Sequence, residues 1–206
     1  MRKGILLLGL LFQLTSLNAQ SLLTKFMKLS RPEKCWTILH PFVCKKAFQA
    51  TLQSQTVTDS IKKSGIIGTD NSGGKLDAFK HTYWMAVVAK VIGPRKALKL
   101  GKAHERGNKL QFKKHQKEDR ILPDSVSSCM DLHNNEQGVL LVKKNRQATQ
   151  QDLQKEVLHL LRQGELACIR KDKNGNFLTC KGTVIDMKKW TGKWNIPKCI
   201  IASDTN

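Results

Sequence analysis

Three polar signatures interrupt otherwise apolar helical sequence, and they hold the residue types that move protons or bind cations. They are Asp77-Ala78-Phe79-Lys80-His81-Thr82-Tyr83-Trp84, then His104-Glu105, then Met130-Asp131-Leu132-His133-Asn134-Asn135-Glu136-Gln137-Gly138. Asp77, His81 and Trp84 fall at i, i+4 and i+7, on one face of a helix. Asp77 can then accept from one nitrogen of His81, fixing its tautomer and raising its basicity. The other nitrogen is left for base, acid or metal-ligand duty. Lys80 and Trp84 flank the pair. A buried, mutually satisfied Asp–His pair is the structural alternative.

His104 and Glu105 are neighbours and point about 100° apart on a regular helix, so they share a target only if the last turn before Gly107 frays. The spacing is not that of a His-Glu-x-x-His metalloprotease, because position 108 is Asn. In the third signature Asp131, Asn134, Asn135 and Gly138 make a polar stripe that ends without a side chain. Aspartate and asparagine suit a helix interior poorly unless they hold something. That something is a histidine, a substrate group or a cation, or else a network joining two helices.

These spacings give Asp77, His81, His104, Glu105 and Asp131 as candidate catalytic residues. Lys80, Trp84, Asn134 and Asn135 are candidates for holding substrate. His81, His104, Glu105 and Asp131 are the candidate ligands if a divalent metal serves as cofactor. No serine or cysteine sits in a recognisable nucleophile turn beside them, which favours activation of water over a covalent route.

In order and spacing the signatures resemble an uncharacterised bacterial domain family marked by Asp-Ala-Phe-Arg-His-x-x-Trp, a following His-Glu, and Met-Asp-Leu-x-Asn-Asn-x-x-Gly. The resemblance runs from about Pro41 to Gly164. The chain departs from it at Lys80, where the family has Arg, and a lysine lacks the bidentate fork for an anion. Because that domain occurs in exported proteins and at the ends of toxin-like polypeptides, the resemblance implies an extracytoplasmic effector or hydrolase.

The elements that must position these residues are mainly helical. A helix capped by Ser30, with Pro32 in its first turn, precedes one from Pro41 towards Asp59. The glycine-rich stretch Asp70 to Gly74 reads as a turn into a central helix from about Leu76 to Ile92. Met85-Ala86-Val87-Val88-Ala89 leaves that helix no polar face, so other helices must enclose it. A helix from Pro94 carries His104 and should end at Gly107-Asn108, with Lys109 to Arg120 an exposed excursion. The next opens near Asp124 and loses definition after Gly138. Thr149 opens a last helix bearing Leu153, Val157, Leu160 and Leu161, stopped by Gly164. After it the pattern turns to β: Leu166 to Arg170, an Asp172–Asn176 loop, Phe177 to Lys181, then Thr183 to Met187 and Cys199 to Ala202. The expected fold is a compact multi-helix domain around a buried central helix, with a small C-terminal β-hairpin element. Residues 20–165 form the helical domain and 166–206 the β element packed on it.

Residues 1–19 read as a secretory signal: Arg2 and Lys3, an apolar Ile5–Leu14, and a cleavage-like Leu17-Asn18-Ala19. Export to the periplasm or beyond is the expectation; an uncleaved N-terminal anchor is the alternative. No later stretch is long enough for a membrane helix. A formal charge of +20 suits an anionic substrate or envelope polymer, with nucleic acid less favoured because the lysines are scattered. Lys188-Lys189-Trp190-Thr191-Gly192-Lys193-Trp194 supports a competing function, a non-catalytic binding module for anionic polymer, lipid headgroup or nucleic acid. The same tryptophans would also serve to pack the β element. Six cysteines allow disulfides in an oxidising compartment. If Asp172 faces Asn176, Cys168 faces Cys180 across the ladder, either bonded or as two free thiols.

Overall fold

The structure, a computed structural model, describes residues 23–114 and 122–205; the proposed signal lies outside them. A helical stretch at 23–28 leads into α1 (Arg31–Leu39), α2 (Pro41–Ser64), α3 (Lys75–Ile92), α4 (Pro94–Lys113), α5 (Ser125–Lys144) and α6 (Gln150–Arg162). Two short strands follow, β1 (Ala167–Ile169) and β2 (Ile200–Ala202), with a 3-10 turn at Met187–Trp190 between them. Among the described residues no helix is long and apolar enough to cross a membrane.

The expected starts are where the local chemistry puts them. Ser30 caps α1 in a reciprocal box with Glu33, and Thr149 does the same for α6 with Asp152. Asp124 caps α5 by accepting from the amides of Val126 and Ser127. Helix α3 is the axis of the molecule. It packs against α2, α4, α5, α6 and β1, and its residues from Leu76 to Ile92 are buried nearly all round. Leu153, Val157 and Leu161 of α6 and Ala47 and Ala50 of α2 close the same apolar core.

Two helix ends differ from expectation for one reason: glycine here serves close packing. Helix α4 runs through Gly107 to Lys113, and a Cβ at Gly107 would overlap the Ser30 side chain. The charged stretch from Lys109 is therefore helical as far as Lys113, while 115–121 lie outside the described residues. Helix α5 runs through Gly138 to Lys144, and a Cβ at Gly138 would overlap the carbonyl oxygen of Thr82 on α3. The central helices thus approach backbone to backbone at that point.

The C-terminal element corrects the expected pairing. β1 pairs antiparallel with β2, not with Phe177 to Lys181, and Cys168 stands opposite Ile201. The Asp172–Asn176 loop does form, with Asp172 N–H donating to the Asn176 carbonyl at 3.0 Å and Gly175 at positive φ. The hairpin is short, because the chain turns again at Thr179–Gly182 and Leu178 bridges to Val184. That turn carries Cys180 away from Cys168 and onto Cys199, to which it is disulfide-bonded. Cys168 is a buried free thiol, and burial pushes its pKa up to about 12.

Candidate functional site

Helix α3 opens on the glycine loop, and the Gly73 amide donates to Asp77 Oδ2 at 2.7 Å. This fixes the Asp77 carboxylate at the first turn, where the helix dipole favours a negative charge. Its other oxygen, Oδ1, meets Lys80 Nζ at 2.8 Å and lies 3.6 Å from His81 Nε2. From α5, Asp131 Oδ1 approaches the same Nε2 at 3.4 Å. One imidazole nitrogen therefore stands between two carboxylates from different helices, all three side chains buried. Two carboxylates beside it stabilise the charged form of the ring.

Ligand atoms of Asp77, His81 and Asp131 lie within 4.8 Å of one another, a spacing from which three donors can converge on a divalent cation. Of the expected metal candidates, His81 and Asp131 belong to this group, while His104 and Glu105 do not. Lys80 places a positive charge on Asp77, which therefore has a cationic partner without an ion.

A cavity of about 620 Å³ runs alongside, walled by α1, α2, α3 and α4. Lys80, His81 and Trp84 line it from α3, and His104 from α4. The three rings form a cluster, with Trp84 and His104 edge to face at 5.3 Å and His81 and His104 centred 6.3 Å apart. Trp84 is oriented by its indole N–H, which donates to Thr51 Oγ1 at 2.9 Å. The remaining wall is mixed: Leu29, Trp36, Phe48, Leu76 and Leu100 are apolar, while α2 from Thr51 to Lys62 contributes only polar side chains.

His104 has a partner that the three signatures did not include. Glu33 Oε1 lies 3.0 Å from its Nδ1, while Glu33 Oε2 accepts from the Ser30 amide at 2.8 Å. Burial pushes the Glu33 carboxyl up. Its bonds to His104 and Ser30 and the charge of His104 outweigh this and hold its pKa at about 2. The Ser30-x-x-Glu33 spacing of the capping box was the signal that marks this residue.

The other candidates lie elsewhere. Because α4 stays regular through Gly107, Glu105 turns away from His104 and accepts from the Asn108 side chain at 3.1 Å. Asn134 spans to β1, donating to the Ala167 carbonyl at 3.0 Å and accepting from the Ala167 amide at 2.9 Å. It fastens the β element rather than a substrate. Asn135, one turn from Asp131, packs beside Gly101 of α4, where a Cβ would stand 3.2 Å from its Nδ2. Its side chain is 1 % exposed, and neither amide atom has a hydrogen-bond partner among the described residues. A buried amide left so costs roughly 1–3 kcal/mol. The tryptophans of the Lys188–Trp194 segment serve packing: Trp190 rests on the second apolar cluster and Trp194 meets Phe112 at 5.1 Å.

A helical domain with an imidazole–dicarboxylate centre on an internal cavity is the class that fold and site define. The chain belongs to the family described as a domain of unknown function, DUF6973, which matches residues 34–165 and ends just before β1. No curated protein and no solved structure matches it.

Proposed function

We propose that the chain is an exported hydrolase whose reacting centre is His81, flanked by Asp77 and Asp131, and whose substrate is an anionic envelope or phosphorylated molecule. One observation carries the reading: a single ring nitrogen set 3.4 and 3.6 Å from two buried carboxylates, on the wall of a cavity. His81 accepts a proton from the attacking water, and the imidazolium so formed is stabilised by the two carboxylates at Nε2. Lys80 and His104 face the cavity beside it and supply positive charge where negative charge develops on the substrate. Glu33, ionised down to about pH 2, keeps His104 oriented.

Export rests on the charged-then-apolar start of the sequence, and the Cys180–Cys199 disulfide suits an oxidising compartment. The test is a panel of p-nitrophenyl phosphate, p-nitrophenyl octanoate and phosphatidylglycerol vesicles, read by nitrophenolate or proton release. The reading expects turnover of at least one, lost in His81→Ala at unchanged melting temperature. Metal analysis of the active protein, with and without EDTA, decides whether Asp77, His81 and Asp131 also share an ion. Absence of turnover across the panel, or an active His81→Ala, contradicts the proposal.

A further inference from the structure

The corner between α1 and α2 exposes what a soluble surface ordinarily hides. Phe42 is 94 % exposed, Leu39 75 % and Ile38 66 %, three large apolar side chains within five residues. Scattered apolar residues need no explanation, but a cluster at a projecting helix junction does. Pro41 at the first position of α2 and the His40 ring stacked on Trp36 at 4.6 Å hold the junction rigid.

Its surroundings are cationic. Lys45 and Lys46 follow on the exposed side of α2, Lys25 and Lys28 are exposed on the stretch that precedes α1, and Arg31 is exposed at its first position. Lys25 Nζ lies 4.9 Å over the Phe48 ring, which places that stretch alongside α2. The corner is also continuous with the cavity, since Thr37 and Cys44, on either side of the exposed residues, line its wall. From Cys44 to Lys62 the cavity follows α2 for about 27 Å at the helical rise. Its α2 wall is apolar from Cys44 to Phe48, beside the corner, and polar from Thr51 to Lys62.

We infer that the α1–α2 corner seats the protein on an anionic bilayer, with Phe42 and Leu39 inserted and the flanking lysines and arginine on the headgroups. Apolar insertion beside a basic ring is the chemistry of interfacial binding: each cation near an anionic surface strengthens it, and buried apolar area adds to it. The end of the cavity lined by Thr37 and Cys44 then lies at the bilayer, and a lipid is the substrate class that reaches it. That last step rests on the hydrolase reading; the docking does not.

Co-sedimentation with vesicles tests it. The intact chain should bind phosphatidylcholine vesicles containing phosphatidylglycerol at least roughly tenfold more tightly than phosphatidylcholine alone. Phe42→Asp with Leu39→Ser should lose about a hundredfold, since both changes are at exposed positions and leave the core intact. Phe42→Trp should show a blue-shifted emission on vesicles. Binding that the double variant leaves unchanged, or no binding at all, overturns the docking. So does a concentration-dependent dimer that the double variant dissolves, because a second copy would then be the occupant. His81→Ala should bind vesicles normally, so failed docking and failed catalysis are read separately.

Discussion

His81 Nε2 of α3 and Asp131 Oδ1 of α5 stand 3.4 Å apart because Gly138, two turns along α5, lets the two helices meet backbone to backbone. The polar site and the helix crossing are one construction. Gly138→Ala forces a methyl group into the Thr82 carbonyl, and neither backbone can yield alone. We expect a loss of roughly 3 kcal/mol in chemical denaturation, within the range for overpacking of a rigid contact. Turnover should fall with it, because the carboxylate is carried away from the ring.

The two carboxylates are expected to act as a unit. Asp131→Asn and Asp77→Asn each remove one negative charge from beside His81, and each should lower kcat by roughly ten- to a hundredfold, the order lost when a carboxylate that orients a histidine is removed. The double variant should lose less than the product of the two, measurable in a double-mutant cycle. Full multiplicativity would show that the carboxylates act independently.

Glu33 gives a pH signature. Its pKa is lowered from 4.5 to about 2, so its contribution to stability is complete above the unfolded value and is lost as pH falls from about 4.5 towards 2. Glu33→Gln should therefore be less stable than wild type by roughly 2–3 kcal/mol at pH 7, and the two should converge near pH 2. Thermal melts across that range check it. A gap that persists at pH 2 would mean that packing, not charge, is what Glu33 supplies.

The sequence made the helices legible where apolar spacing and caps agree. Ser30, Asp124 and Thr149 all cap as their side chains dictate, and the all-apolar run from Met85 to Ala89 identifies the central helix. The grouping of Asp77, His81 and Asp131 was legible because ionisable groups on buried faces need partners. What sequence could not supply was the meaning of a glycine. Gly107 and Gly138 look like stops, yet tertiary contact makes each a seat for a neighbouring chain segment, which also keeps Glu105 away from His104. The disulfide joins Cys180 to Cys199 rather than to Cys168 because a strand partner is chosen by the whole sheet. β2 took the place beside β1 that local pairing would have given to residues 177–181.

The C-terminal segment is pinned by a buried ion pair. Lys198 Nζ meets Asp124 Oδ2 at 2.6 Å, with both side chains 1 % exposed, and the ammonium lies 3.8 Å over the Phe177 ring. Burial lowers the Lys198 pKa, opposed by the Asp124 charge. Asp124→Ala removes the α5 cap and leaves an uncompensated cation, so it should cost about 3–5 kcal/mol. Lys198→Met with Asp124→Asn should recover much of that loss, since neither charge is then buried alone. Urea denaturation of the three proteins decides it.

The central claim is that His81 is the group through which the chain turns over its substrate. The most direct measurement is kcat/KM of wild type against His81→Asn, on whichever substrate of the panel is cleaved, at matched thermal stability. A fall of at least about a hundredfold is expected, the usual contribution of a positioned base. Equal rates from two equally folded proteins would contradict it.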